Sequence, residues 1–386
     1  MQPTTSQRVT QCFALLGYAI FSLVVIGTLL ELFCWVGLSA YHGIRQALHP
    51  AAVSGPLASE PWASEFLRQE SVRQNVHKTF IPFRVWGAEN WHGAFVNNDE
   101  STLGIVRRTI NPTSPTCTGR STRSVWIFGG SALYGTGVPD WGTLPSYLSR
   151  ALNAAGPDCV IVTNFGVEGY VTNQEIIALS EQLKAGHHPD TVIFYDGAND
   201  SGAAAYALGA SPLPYFQFPE VKDRVEGSIS ARFDFLFKSH LLHMLMVVAR
   251  SAPIAPLRVV VTPRVAAALD NYEANLGFAK ALSTAYGFKM YCFWQPSLYY
   301  GHKPLVPFEQ QMVNTSNPWT DYWRPAVEVG YQEAAKRAAA KPGEFVFLGG
   351  FFDSSKDPMY LDMVHLDPQG NELVANYIAE YISNHS

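Results

Sequence analysis

"VWIFGGSALYGTGVPD", residues 125–140, decides the fold. Val125 to Phe128 are four apolar residues in a row, which read as a strand buried on both faces. Gly129 and Gly130 end the run, Ser131 follows at once, and Gly135 and Gly137 come soon after. A core strand that breaks on two glycines leaves its next residue at the rim of a sheet, on backbone open to close approach. Alone, the stretch also fits a serine that caps a helix or closes a turn.

Outward from it, strand-like runs recur at 159–163, 191–195, 289–293 and 345–348. Helical patterns lie between them. At 144–153, Leu144, Tyr147, Leu148, Ala151 and Leu152 form one apolar stripe. A second helix opens with "TNQE", where Thr172 and Glu175 match a capping box. A third covers roughly 263–286. The last has Asp367 as its N-cap and Pro368 at its first position, with Leu373, Val374, Tyr377, Ile378, Tyr381 and Ile382 on its inner face. Alternating apolar strands and helices predict an α/β fold, a parallel sheet covered on both faces. Sites in such sheets form at the carboxyl ends of the strands.

The 386 residues suffice for one large domain with additions. A charged content of 15% and a net charge of −5 describe a folded chain without a basic stripe, which argues against nucleic acid as a partner. Cys12, Cys34, Cys117, Cys159 and Cys292 form no CxxC pair or Cys/His cluster, so no zinc site is expected. Cys159 and Cys292 read as small core residues, and nothing demands a disulfide.

From Cys12 to Leu30 no residue is charged, and "LFCWVGLSAY" extends the apolar run after Glu31. That length matches a membrane span, with Trp35 and Tyr41 as interfacial anchors. A cleaved signal peptide competes, but its apolar core is normally shorter and "GLSA" matches a cleavage site only loosely. The expected organisation is a tail over 1–11, a transmembrane helix over 12–38, a spacer with some helix over 39–77, a small β-rich segment with a polar linker over 78–120, and an α/β domain over 121–386. Residues 201–262 fit the alternation poorly and read as an insertion, a lid or a groove wall. Arg8 before the span and Arg45 after it signal orientation only faintly. The reading is a single-pass protein of a bacterial inner membrane with its bulk outside the cytoplasm.

Three more strand ends give Ser131 its context. After the second strand comes "NFGVEGY", with Gly166 and Gly169. After the third comes "YDGAND", with Gly197, Asn199 and Asp200. Before the last helix comes "DMVHLD", with Asp362 and His365. Each alone is an ordinary turn or helix start; their order is what signals a site. The set resembles the SGNH hydrolase superfamily, the GDSL-like esterases. That family carries a nucleophilic Ser, then a Gly, then an Asn in GxND, then a DxxH pair. The blocks match Ser131, Gly169, "GAND" with Asn199, and "DMVH" with Asp362 and His365, over about 124–200 and 288–386. One block departs: "GGSAL" has Gly130 where the family has Asp. Gly166 rivals Gly169, but the spacing from Asn164 favours Gly169.

The resemblance implies a flavodoxin-like three-layer α/β/α fold with a five-stranded parallel sheet. It also implies acyl transfer through an acyl-enzyme. His365 would take the proton of Ser131, Asp362 would orient the imidazole, and the N–H groups of Ser131 and Gly169 with the Asn199 amide would bind the oxyanion. Gly130, Gly197 and Asp200 would support the loops, and no cofactor or metal is needed. Among other histidines only His92 has a carboxylate three residues earlier, Glu89; it precedes the first block and is a poor rival. Trp91, Trp141, Tyr170, Trp294 and Tyr299 suit stacking on sugar rings, and Gln295 could reach the site; packing explains such aromatics as often. The expected substrate is a short-chain O-acyl ester, an O-acetyl group on a carbohydrate or exopolysaccharide. The alternatives are an envelope O-acyltransferase with the same triad and a non-catalytic envelope scaffold.

Overall fold

The computed structural model describes residues 5–48, 53, 55–76, 78–206, 239, 261–316 and 318–385. The chain divides into two compact units, 1–52 with 220–255, and 53–219 with 256–386. Of the first, helix α1 (Thr5–Leu48) is described. Within it Phe13–Tyr41 is long and apolar enough to cross a membrane, a property that anchors and signal sequences share. Except at 201–206, 239 and 261–262, the expected insertion lies outside the described residues.

The second unit opens with α2 (Ala63–Arg73), then a hairpin of β1 (Thr79–Ile81) and β2 (Val85–Gly87), then β3 (Asn98–Ser101), β4 (Gly104–Arg107) and the short α3 (Ser114–Cys117). The α/β part runs β5 (Thr122–Gly129), α4 (Ser131–Tyr134), α5 (Leu144–Ala155), β6 (Cys159–Asn164), α6 (Thr172–Lys184), β7 (Thr191–Asp196) and α7 (Ala198–Ala203). It continues with α8 (Val261–Tyr286), β8 (Lys289–Trp294), α9 (Pro307–Asn314), α10 (Pro318–Ala340), β9 (Val346–Phe347) and α11 (Pro368–Asn384). The sheet order is β3-β4-β6-β5-β7-β8-β9. β5 to β9 are the five expected parallel strands, in the flavodoxin-like order 2-1-3-4-5 when counted from β5.

The alternation along the strands explains the layers. Trp126, Phe128, Val192 and Phe194 pack under α6, α8 and α10, through residues such as Leu179, Leu269 and Val327. Val125, Ile127, Ile193 and Tyr195 pack under α5 and α11, through residues such as Leu148 and Ile378. Both faces are covered, as a run of apolar residues without a polar alternation requires.

Three expectations need correction. The aromatic segment is not wholly a separate β-rich piece: β3 and β4 join the main sheet as two antiparallel strands, with Arg107 opposite Asn164, making seven strands in all. Arg107 is buried there on Asp140, and its partner lies well beyond the linker. Cys159 is not a free core thiol but is bonded to Cys117. The linker runs beside the start of β6, where the Cys159 N–H donates to the Ser121 carbonyl at 2.7 Å. The Thr172–Glu175 capping box does not form. Val171 is the N-cap of α6, the Thr172 hydroxyl turns to Asp200, and Glu175 is buried on the inner face of the helix.

Candidate active site

The strand order reverses beside β5, so β5 and β7 flank the crevice where open α/β sheets place ligands. Ser131 stands two residues past the end of β5, and Asn199 three residues past the end of β7. Gly129 and Gly130 are there for lack of space. A Cβ on Gly129 would collide with the Tyr195 carbonyl and Leu133, and one on Gly130 would overlap the Asn199 amide nitrogen and lie 3.2 Å from the Tyr170 carbonyl. The chain then makes the single turn α4 and closes on Gly135, which is left-handed at φ 88°.

His365 arrives from the other end of the chain on a tight loop. Tyr360 and Leu366 form an isolated bridge, the Leu361 N–H donates to the His365 carbonyl at 2.8 Å, and the Asp367 N–H donates to the Met359 carbonyl at 2.9 Å. Asp367 then caps α11 by accepting from the Gly370 N–H at 2.7 Å. Inside this loop Asp362 Oδ1 accepts from the N–H groups of Val364 and His365, both at 2.9 Å. Its Oδ2 lies 2.6 Å from His365 Nδ1, and His365 Nε2 lies 2.8 Å from Ser131 Oγ. Burial disfavours charge on the ring, but Asp362 more than offsets this and raises the His365 pKa above its ordinary value. Against its own desolvation, Asp362 is held below the usual carboxylate range by His365 and the two N–H groups.

The loop after β6 supplies the other wall. Asn164 ties it to the serine turn: its amide donates to the Leu133 carbonyl at 3.2 Å and its Oδ1 accepts from the Gly166 N–H at 2.8 Å. Gly166 is a packing glycine, since a Cβ there would strike the Tyr134 backbone; Gly169 is the turning one, at φ 80°. Asn199 Nδ2 donates to the Tyr170 carbonyl at 2.8 Å. That nitrogen lies beside Gly130, and among the described residues it makes no second hydrogen bond. Among the described residues no hydrogen bond takes up the backbone N–H of Ser131 or of Gly169. Gly197 starts the Asn199 turn at φ 140°, and Asp200 braces it by accepting from Thr172 N (3.1 Å) and Oγ1 (2.5 Å).

Three of the expected substrate-binding positions are closed off from solvent. Trp294 is fully buried against Tyr272, Tyr331 and Phe345, and Gln295 is buried after it. Tyr170 is buried on Trp86, with its hydroxyl donating to the Trp86 carbonyl. None of the three offers a face to a sugar. Trp91 is partly buried. Tyr299 carries the Arg324 guanidinium 5.0 Å from its ring centre, and Trp141 is 40% exposed beside Trp62. Glu89 does not serve His92: it is buried in an ion pair with Arg73, while His92 faces solvent. Sequence reasoning missed Arg73, Tyr134 and Glu168, which lie around the serine turn. No group of His, Cys, Asp and Glu among the described residues could hold a metal ion.

Compared with protein-family models and with curated proteins, the chain matches none. It is similar to solved esterase and hydrolase structures. An acetylxylan esterase from Geobacillus stearothermophilus, Axe2, is 15% identical over 68% of this chain and 94% of that chain, with a TM-score of 0.35. LAE5, an α/β hydrolase enzyme from the metagenome of Lake Arreo, Spain, is 14% identical over 68% and 95%, at 0.35. A member of the lipolytic protein G-D-S-L family from Veillonella parvula DSM 2008 is 12% identical over 68% and 98%, at 0.33. Such values bear on no individual residue.

Proposed function

We propose that this protein is a serine ester hydrolase of the SGNH type that removes short-chain O-acyl groups, O-acetyl groups on a carbohydrate above all. The observation that carries this reading is the hydrogen-bonded line Asp362–His365–Ser131, set at the strand-order reversal beside three donors with capacity to spare. Ser131 Oγ attacks the ester carbonyl as His365 Nε2 takes its proton. Asp362 fixes the imidazole tautomer and stabilises its cation. The developing oxyanion is met by the N–H groups of Ser131 and Gly169 and by the Asn199 amide. The alkoxide leaves with the proton from His365, and water repeats the sequence on the acyl-enzyme.

Two features support a site outside the cytoplasm, where acylated envelope glycans are found. One is the apolar stretch Phe13–Tyr41, which could tether the chain; the other is the Cys117–Cys159 bond, which persists in oxidising compartments. For a carbohydrate the support is the aromatic surface of Trp141 and Trp62, whose rings lie 5.3 Å apart edge to face.

The test is hydrolysis of nitrophenyl esters of increasing acyl length by the full chain in detergent, wild type beside Ser131→Ala. A maximum at acetate that falls about 10⁴-fold or more in the variant, at unchanged melting temperature, is the expected result. A maximum at long chains moves the substrate to lipids. A folded wild type that hydrolyses nothing but acetylates an added sugar is an acyltransferase. One that does neither, and resists a fluorophosphonate, is a scaffold.

A further inference from the structure

Helix α2 lies in the stretch that reads as a spacer, yet its last residue, Arg73, is only 2% exposed. A guanidinium left without partners at such a position would be strongly destabilising. Here every donor is used. Nε donates to Glu70 Oε2 at 2.8 Å, and Nη2 donates to Glu70 Oε1 at 2.6 Å and to Glu168 Oε1 at 2.8 Å. Nη1 donates to Glu89 and, at 3.2 Å, to the Tyr134 hydroxyl.

Two of these partners belong to the site. Tyr134 is the last residue of the turn that begins with Ser131, and Glu168 immediately precedes Gly169. The turn and the loop are also joined where the Thr136 hydroxyl donates to Glu168 Oε1 at 2.8 Å. On the other side the Tyr134 hydroxyl donates to Asn98 Oδ1 at 3.1 Å, and a second buried arginine, Arg107, lies 5.2 Å from the Tyr134 ring. The Glu168 carbonyl accepts from Lys78 Nζ at 3.2 Å and from Trp86 Nε1 at 3.0 Å. The loop that carries Gly169 is therefore held by Arg73, Thr136, Lys78 and Trp86, and among the described residues only Arg73 grips both it and the serine turn through charged hydrogen bonds.

We infer that Arg73 is a positioning residue for the proposed ester hydrolysis: by binding Glu168 and Tyr134 together, it sets the spacing between the N–H groups of Gly169 and Ser131. The inference rests on the hydrolase reading above. An oxyanion hole works through donors fixed before the charge develops, so a loop free to drift loses transition-state binding while ground-state binding survives. A second consequence concerns charge. Glu168 is held ionised, at about 2, by Arg73 and Lys78 against its own burial, and its carboxylate acts on His365. Arg73 offsets that negative charge close to where the oxyanion forms.

The experiment is steady-state hydrolysis of nitrophenyl acetate by the full chain in detergent, with melting temperature, for wild type, Arg73→Met, Arg73→Lys, Glu168→Gln and the Arg73→Met/Glu168→Gln pair. Arg73→Met is expected to lower kcat by about 10- to 100-fold with KM within about twofold, since the donors are displaced and not deleted. Arg73→Lys should recover part of kcat. The pair should be no slower than Arg73→Met alone, because both changes cut one link. A folded Arg73→Met with wild-type kcat, a loss confined to KM, or strictly multiplicative losses would overturn the inference. If Arg73→Met does not fold, Arg73→Lys decides: reduced kcat at constant KM supports the role, and wild-type kcat refutes it. A wild type that neither hydrolyses the ester nor reacts with a fluorophosphonate sinks the hydrolase reading and this inference together, whereas activity equal across the set removes this inference alone.

Discussion

His365 Nε2 and Ser131 Oγ lie 2.8 Å apart across 234 residues of sequence. Two tight turns make this meeting possible, one closed by Gly135 after the serine and one closed by the Tyr360–Leu366 bridge around the histidine. The contact has the right reach for a base that removes the hydroxyl proton. Its energetics follow from Asp362, which holds the ring by Nδ1.

The proposed hydrolysis should therefore depend on pH in a particular sense. The base must be neutral, and Asp362 raises the pKa of His365 above 6.5 despite the ring's burial. So kcat/KM is expected to rise with pH through a midpoint above that value. Asp362→Asn removes the stabilising charge, so the midpoint should move down while the rate falls about 10⁴-fold from loss of the tautomer. A pH–rate profile of both proteins checks this; equal midpoints would show that Asp362 does not tune the ring.

Gly130 and Asn199 form a coupled pair. The amide nitrogen of Asn199 occupies the space that a Cβ on residue 130 would need. Gly130→Ala should displace the amide and lower kcat by about 10²-fold or more, the cost of one oxyanion donor. Asn199→Ala alone should cost a similar factor. In the Asn199→Ala background, Gly130→Ala should then add almost nothing. Additive losses in this double-mutant cycle would mean that residue 130 is restricted for another reason.

The Cys117–Cys159 bond closes a separation of 42 residues. Such a crosslink contributes about 2–4 kcal/mol, chiefly through the unfolded chain. A Cys117→Ser/Cys159→Ser variant should melt several degrees below wild type yet keep its activity at room temperature. The wild type treated with a thiol reductant should match it. An unchanged melting temperature would show that the bond does not form in the isolated protein.

Much of this was legible in the sequence because it is local. Val125–Phe128 and the other core strands announce themselves by unbroken apolar runs, and Asp367-Pro368 announces a helix start by capping chemistry. Asn199 and His365 were found because each follows a strand or precedes a helix in a fixed order. What was hidden depends on partners far along the chain. Nothing in "ESVRQ" says that Arg73 will meet Glu168, 95 residues on. The Cys117–Cys159 spacing has no signature of its own. Trp294 sits at a strand end as a binding aromatic would, yet Tyr272 from the preceding helix α8 and Tyr331 from the later helix α10 close over it. Thr172 and Glu175 match the capping pattern, but Asp200 takes the hydroxyl and the core takes the carboxyl.

That buried carboxyl sets the last prediction. Glu175 and Asp196 are buried side by side, and among the described residues no hydrogen bond within normal limits reaches their carboxyl oxygens. Burial, reinforced by Asp196 and Asp200, pushes Glu175 well above the usual carboxylate range; burial and Asp200 push Asp196 up likewise, and burial lifts Asp200 to about 6. A carboxyl whose pKa is raised on folding holds a proton in the native state that the unfolded chain has released. The native state is therefore favoured at low pH, and that advantage is lost as pH rises from the ordinary carboxylate range through about 6 and beyond. Glu175→Gln removes one of the three charges and keeps the shape. It should raise the melting temperature at about pH 8 by a few degrees and flatten its decline above about pH 6. Thermal melts of both proteins across this range provide the check. A variant that is less stable than wild type at pH 8, with an equally steep decline, would mean that the ionised pair is stabilised by groups beyond those seen around it.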